Sequence, residues 1–299
     1  MNAIIDEKKV PENLLGNLNE TSVNSSHELL NKNLNKDGYL FLKNVVSPKE
    51  VELARNEVFK KLYEINEIKE PYNEGIFSGE SDRDVFYNDR GDFWKDVSDL
   101  DSIRNITNGK ILHSIFDKIF GSPSIGFDFI FLRPVANGKS TKLHCDSGFF
   151  TRKTKKVLTC WFVFTEISLD RGPLFIIENS HNFEDLKNQY LDFDVAIHKD
   201  RKAMINVDPI EFAKQRDSKI LTAHFKPGDA LIFGMYTLHG TFQNHAIDNK
   251  IRLTCDIRYQ PKSEEKDLRY FGSNPGGTTG AGYGELNSAR PLNEDWHNR

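Results

Sequence analysis

Cysteine is scarce in this chain: three among 299 residues, Cys145, Cys160 and Cys255, none in a Cys-x-x-Cys pair and each inside an apolar or strand-like stretch. They read as reduced core thiols. No apolar run approaches the roughly eighteen residues that mark a membrane span. The first ten residues hold Asp6, Glu7, Lys8 and Lys9, without a secretory apolar core and too acidic for an Arg-rich transit peptide. The C-terminal His297-Asn298-Arg299 is not a peroxisomal address, so a soluble cytoplasmic protein is expected. An excess of one charge is also missing. Forty basic residues face 44 acidic ones, interspersed, for a net charge of -4, which implies neither nucleic acid nor an anionic membrane as partner and suits a small-molecule substrate. No Gly-x-Ser-x-Gly elbow is present, which argues against a serine hydrolase.

What is present falls into three parts. Residues 1–34, rich in Asn, Glu, Ser and Lys, read as a flexible N-terminal arm. Residues 35–270 carry the structured domain. There Gly38 to Val46 reads as a strand, and Ser47-Pro48-Lys49-Glu50 supplies an N-cap, a proline at the first helical position and a capping-box glutamate for a helix to about Ile65. Residues 69–99 read as a long aromatic loop over something, and 101–120 as a helix buried through Ile103, Ile106, Ile111, Leu112, Ile115, Phe116 and Ile119. Strand-like runs follow at 125–132, 157–167, 174–177, 220–225, 229–233 and 251–259, interrupted by a charged insertion over 185–218. Helices gathered early and strands late predict a mainly β fold with flanking helices, an antiparallel double-sheet jelly roll. Residues 271–299 are glycine-rich. No strand feeds them and no helix clearly starts from them, so they match neither a phosphate loop nor a dinucleotide fingerprint and read as a C-terminal tail or lid.

His144-Cys145-Asp146 carries the strongest chemical signal. In an extended strand, side chains two apart share a face, so His144 and Asp146 converge while Cys145 turns away. Two imidazoles and one carboxylate on one face of an ion, with the other face open, are the ligand set of non-haem Fe(II) oxygenases. For the third ligand the candidates are His181, His224, His239 and His245. His239 is preferred because it leaves a buried strand, Ala230 to Phe233, that follows the turn Lys226-Pro227-Gly228-Asp229; His245 competes. Arg252 lies thirteen residues after His239. It alternates with Thr254, Asp256 and Arg258 on one face of a strand whose other face is Ile251, Leu253, Cys255, Ile257 and Tyr259. An inward arginine needs an anionic partner, either a dicarboxylate cosubstrate or an internal acid such as Asp256 or Asp229. Arg258 reads as the structural arginine of the pair.

The run from Gly38 to Glu50, the His144/Asp146 pair, Gly172-Pro-Leu-Phe-Ile-Ile-Glu-Asn-Ser-His181, and His239-Gly-Thr-Phe-Gln-Asn244 with Arg252 together resemble the phytanoyl-CoA dioxygenase family of Fe(II)/2-oxoglutarate oxygenases, over about residues 36–269. Glu178-Asn179 stand where that family usually has Pro-Gly. The resemblance implies a cupin-like double-stranded β-helix with Fe(II) on His144, Asp146 and His239. It implies 2-oxoglutarate held by Arg252 with help from Thr241 and Trp161, and O2 consumed as succinate and CO2 are released. It also implies that Asp146 excludes halogenation, leaving hydroxylation, desaturation or oxidative ring closure. Relatives act on coenzyme A thioesters, amino acids or secondary metabolites. Arg133, Lys142, Phe149, Arg152 and Tyr236 flank the iron face and suit an acidic, partly apolar substrate. Two other classes compete: a zinc hydrolase on the same three ligands, which leaves Arg252 without a reason, and a non-catalytic jelly-roll binding protein, which leaves the intact triad without one.

Overall fold

Alternation along the strands decides the architecture. The computed structural model, which describes residues 2–198, 200–205, 207–286 and 290–294, stacks two sheets. The larger runs in the order Tyr39–Leu42, Ala230–Gly234, Leu158–Val163, Arg252–Pro261 and Ser124–Gly126, with Phe131–Val135 also paired to Arg252–Pro261. The smaller runs His239–Thr241, Leu174–Ile177, Ile220–Thr222 and Leu15–Asn17. All pairings within the two sheets are antiparallel except that of Leu15–Asn17 with Ile220–Thr222. This is the expected jelly roll.

Each strand of the larger sheet sends one set of side chains to the helices and the other between the sheets. Leu40, Leu42, Cys160, Phe162, Ala230, Ile232, Leu253, Cys255 and Ile257 belong to the core packed under the helices. Tyr39, Phe41, Trp161, Val163, Leu231 and Phe233 fill the space between the sheets with Leu174, Ile176 and Phe225. A third core, including Leu143, Cys145, Phe175 and Phe242, lies with Phe193, Ile210 and Phe212 of the insertion and Ala3, Ile5 and Val10 of the N-terminus. The interior dry core therefore closes one stretch of the barrel, and the polar residues of the last strand line the rest.

The Pro48–Glu64 helix starts as its sequence predicts: Ser47 Oγ accepts from Glu50 N. Glu50 answers by accepting from the Ser47 hydroxyl at 2.5 Å. Other expectations need correction. The 1–34 segment is packed rather than loose: Leu15–Asn17 adds a strand to the smaller sheet, and His27–Asp37 is a helix capped by Ser26 and ended by Gly38 in the left-handed region. Residues 69–99 are not one loop. Arg90–Ser98 is a helix that buries Phe93 and Trp94, and an internal Arg83–Glu67 ion pair at 2.7 Å ties the preceding turn beneath it. The helix expected over 101–120 is two, Asp101–Thr107 and Lys110–Phe120, broken at Asn108-Gly109, and Ile111 of the expected buried stripe is exposed. The described part of the glycine-rich C-terminus is folded back: Tyr283 stacks on Phe129 at 4.4 Å and accepts from Ile130 N. Residues 287–289 and 295–299 of that expected tail lie outside the described residues. Among the described residues, no helix is long and apolar enough to cross a membrane.

Candidate metal and cosubstrate site

His144, Asp146 and His239 meet at the open end of the barrel, each buried, each offering a ligand atom within 4.8 Å of the others. The backbone brings the histidines together: His144 N donates to His239 O at 3.0 Å and His239 N to His144 O at 2.9 Å. Asp146 arrives differently from the extended alternation its spacing suggests. Its backbone is helical, φ -83 and ψ -11, at the start of the short Ser147–Phe150 helix. A strand edge turning into a helical turn makes the convergence. Cys145 faces the outer core, as alternation requires.

Each imidazole is oriented by its own chain. His144 Nδ1 donates to Lys142 O at 2.8 Å and His239 Nδ1 to Thr237 O at 3.0 Å, which fixes the tautomer and leaves both Nε2 lone pairs directed at the centre. Burial, with the neighbouring His239, pushes His144 down to about 3, and burial lowers His239 as well. Both are neutral ligands at ordinary pH. Asp146 Oδ1 lies 3.7 Å from His144 Nε2 and 3.9 Å from His239 Nε2. Its Oδ2 is turned to the protein, accepting from Thr159 Oγ1 at 2.6 Å and Arg258 Nη2 at 3.0 Å. Burial works against the Asp146 charge, but Arg258 foremost, then His239 and His144, and last the Thr159 hydroxyl outweigh it and hold the carboxyl well below the usual range. Two neutral imidazoles and an ionised carboxylate, facing one point, fit a divalent metal on one face.

Deeper in the barrel, Arg252 is fully buried. Its Nη1 donates to Gly172 O, while Nε and Nη2, which share one side of the planar group, have no partner, and neither does Thr254 Oγ1. Burial first, then the like charge of Arg133, depress Arg252 to about 9, against the pull of Asp256. The internal acids weighed as its partners are engaged elsewhere. Arg133 Nε holds Asp256, and Asp229 accepts from Lys226 N at 2.8 Å and Asn44 N at 3.0 Å. An empty two-donor fork in a dry wall fits a carboxylate. Thr241 is two residues along from His239 on the same strand; its Oγ1 accepts from Thr141 N at 2.7 Å, which leaves the hydroxyl proton to donate. Trp161 is buried between the sheets, edge-on to Phe225 at 4.9 Å.

A cavity of about 830 Å³ opens over the triad, with Phe131, Arg133, Lys142, Phe149, Phe150 and Arg258 among its walls. Of the substrate-facing residues expected from sequence, Arg133, Lys142 and Phe149 line it. Arg152 does not, being paired with Asp194 at 2.6 Å, and Tyr236 borders a separate, smaller cavity beside Gly38 and His181. The other histidines stand apart from the triad: His224 pairs with Glu166 at 2.8 Å, His181 contacts Asn35 O, and His245 contacts Gln243 O. Sequence reasoning missed Thr159 and assigned Arg258 too passive a part. The signal was present, since Thr159 alternates with Trp161 and Arg258 with Arg252.

A double-stranded β-helix with two histidines and a carboxylate at its open end defines a non-haem iron oxygenase of the 2-oxoglutarate-dependent class. The phytanoyl-CoA dioxygenase (PhyH) family model matches residues 34–251, and the chain belongs to that family. No curated protein matches the sequence. Among solved structures, the epimerase SnoN in complex with Fe3+, alpha ketoglutarate and nogalamycin RO superposes with a TM-score of 0.54 at 16% identity, over 83% of this chain and 86% of that one. The alpha ketoglutarate dependent carbocyclase SnoK from nogalamycin biosynthesis gives 0.54 at 16%, over 83% and 88%. EctD from S. alaskensis gives 0.54 at 15%, over 86% and 84%. At these identities the likeness is one of fold.

Proposed function

We propose that this chain oxidises a C–H bond of a small molecule, with His144, Asp146 and His239 holding Fe(II) and Arg252 holding the distal carboxylate of 2-oxoglutarate. Arg252 carries the reading: a fully buried guanidinium whose two same-side donors are empty is costly unless an anion fills it. A hydrolase using the same triad would have no use for that fork. Iron bound at the triad supplies the oxidation of the C–H bond by O2, coupled to cleavage of 2-oxoglutarate to succinate and CO2.

The chain's own residues do the positioning. Lys142 O and Thr237 O hold the imidazole tautomers, Thr159 and Arg258 hold the Asp146 carboxylate, and Gly172 O fixes the direction of Arg252. The Thr241 hydroxyl donates to the same distal carboxylate, and Trp161 walls the cosubstrate from the dry core. Arg133, Lys142 and Phe149 face the substrate. Asp146 fills the position a halide would need, so the outcome is hydroxylation, desaturation or ring closure. Neighbours on this fold include an epimerase and a carbocyclase, and the cavity rather than the fold selects among outcomes. Secondary metabolism in the cytoplasm suits a barrel of this kind with a roomy cavity. The test is anaerobic reconstitution with Fe(II) and 2-oxoglutarate, then succinate release on admitting O2 with a metabolite panel. Turnover stimulated by a panel member supports the reading, and turnover persisting without O2 overturns it.

A further inference from the structure

Arg133 offers the cavity a pair of donors that the protein leaves open. It stands on the inward face of its strand opposite Thr254, which lies between Arg252 and Asp256. Asp256 takes its Nε, and the Phe131 ring lies 5.8 Å from the guanidinium, so the group is fixed from behind. Nη1 and Nη2 have no hydrogen-bond partner among the described residues, and neither is sealed from solvent, in contrast to Nε and Nη1 of Arg258. The side chain is 22% exposed and lines the cavity over the triad. Nη1 and Nη2 share the end of the planar group and point the same way, the edge that takes both oxygens of one carboxylate.

Charge adds a second reason. Arg133, Lys142, Arg252 and Arg258 stand at the cavity and the fork behind it, against the carboxylates of Asp146, Asp256 and Glu285 alone. Asp146 holds Arg258, Asp256 holds Arg133 through Nε, and Glu285 accepts from Thr278 N and Thr279 N. Fe(II) and the 2-oxoglutarate dianion cancel, so the loaded site keeps a surplus of positive charge that an arriving anion relieves. Lys142, exposed at the mouth with no partner for its Nζ among the described residues, raises the same potential where a substrate enters. Phe149, Phe150, Val195, Met204 and Leu286 make much of the remaining wall apolar.

Resting on the reading of the metal and cosubstrate sites above, we propose that the Nη1 and Nη2 edge of Arg133 binds a carboxylate of the primary substrate end-on. The substrate is then a small monocarboxylic acid whose aryl or alkyl body lies along the aromatic wall. Both carboxylates of 2-oxoglutarate are engaged in that reading, the distal one by Arg252 and the other by the metal. The Arg133 edge is therefore left to the second ligand of the cavity. Asp256 is a positioning partner, because its hold on Nε keeps the opposite edge turned to the open space.

The test uses the full chain loaded anaerobically with Fe(II) and saturating 2-oxoglutarate, so that the Arg252 fork is filled. The probes are 3-phenylpropionate and octanoate, each beside its primary amide, matched in shape and differing in charge. Binding is read by thermal melting and by perturbation of the Fe(II)–2-oxoglutarate absorption. At least one acid is expected to bind about 10- to 100-fold more tightly than its amide, the range of a charge-assisted hydrogen bond. Arg133→Lys should weaken that acid about tenfold and leave the amide unmoved, because a point charge replaces a two-donor edge. Arg133→Gln should erase the preference. Arg133→Lys keeps a cation beside Asp256 and carries the mutational arm if Arg133→Gln fails to fold. Equal affinity for acid and amide in both pairs, including no binding at all, overturns the proposal. So does a preference that survives in Arg133→Gln, and its loss in Lys142→Met would then move the anion to the rim lysine. An Arg133→Lys protein that loses 2-oxoglutarate affinity while keeping the acid preference, or an acid effect abolished by raising 2-oxoglutarate, places the edge or the probe on the cosubstrate and overturns it too. Failure of Fe(II) and 2-oxoglutarate to bind the wild type is a separate result, read before any probe is added, and overturns the parent reading and the subsite together.

Discussion

Arg258 and Asp146, 112 positions apart, meet at 3.0 Å through Nη2 and Oδ2, the carboxylate oxygen turned away from the two histidines. With Thr159 on the same oxygen at 2.6 Å, the carboxylate is clamped so that Oδ1 faces the metal position. Thr159→Val keeps the shape and removes one clamp. Outer partners of this kind are typically worth about 10- to 100-fold in metal affinity. The expected result is Fe(II) or Mn(II) affinity reduced within that range by anaerobic titration, with a melting temperature of the metal-free protein close to wild type. Unchanged affinity would mean that Arg258 alone orients Asp146.

Arg252→Met separates cosubstrate binding from folding. The substitution loses the hydrogen bond to Gly172 O, a penalty of about 1–3 kcal/mol for a carbonyl left buried and unpaired. It also removes a buried cation with an empty fork, and replacing buried charge by an apolar side chain of similar volume gains roughly 1–4 kcal/mol. The two effects oppose. The metal-free variant should therefore melt within a few degrees of wild type, while its KM for 2-oxoglutarate rises about a hundredfold or more, as expected when a desolvated charge-assisted pair is lost. Calorimetric titration showing undiminished 2-oxoglutarate affinity would remove Arg252 from the site.

Gly172 anchors that arginine, and its backbone admits no side chain. Its φ is +70, and a Cβ there would stand 2.4 Å from Phe242 O and 2.8 Å from Asn244 N, both backbone atoms that have no room to yield. Gly172→Ala should destabilise the fold by about 2 kcal/mol or more in urea unfolding. It should also weaken 2-oxoglutarate binding, because the carbonyl that directs Arg252 moves with the strain. Loss of stability with cosubstrate affinity intact would show that the arginine finds its direction without Gly172.

The parts of this site that a two-residue period governs were legible in the sequence. The inward set from Arg252 to Arg258 and the outward Cys145 follow from it, whereas Asp146 joins His144 through a helical turn. Which inward arginine meets which acid was not legible, because that depends on register between strands far apart in the chain. Thr254 pairs opposite Arg133, and Arg258 opposite Thr159, and only that pairing brings Arg133 to Asp256 and Arg258 to Asp146. The Arg90–Ser98 helix was hidden for a local reason. Gly91 and a cluster of acids mask its helical period, and its burial comes from Phe93 and Trp94 meeting a core built elsewhere. The N-terminal strand was hidden for a long-range one: Leu15–Asn17 is held by pairing with Ile220–Thr222, about two hundred positions away.

The two ligand histidines also set a pH dependence for the metal-free fold. Folding holds both neutral: burial with His239 brings His144 down to about 3, and burial lowers His239. The unfolded chain titrates them near about 6.5. Between those values the unfolded state binds more protons than the folded one, so stability rises with pH across that window and falls as the solution is acidified below about 6.5. Urea midpoints of the metal-free protein should drop from pH 7 to pH 5, and His144→Asn should flatten that slope. A second consequence concerns loading. Imidazoles that are already neutral release no proton to an arriving metal, so calorimetric titration in buffers of different ionisation enthalpy at pH 7 should show close to zero protons exchanged. Release approaching one proton per metal would mean that at least one histidine is charged in the folded state, contrary to the geometry that keeps both buried and directed at the same point.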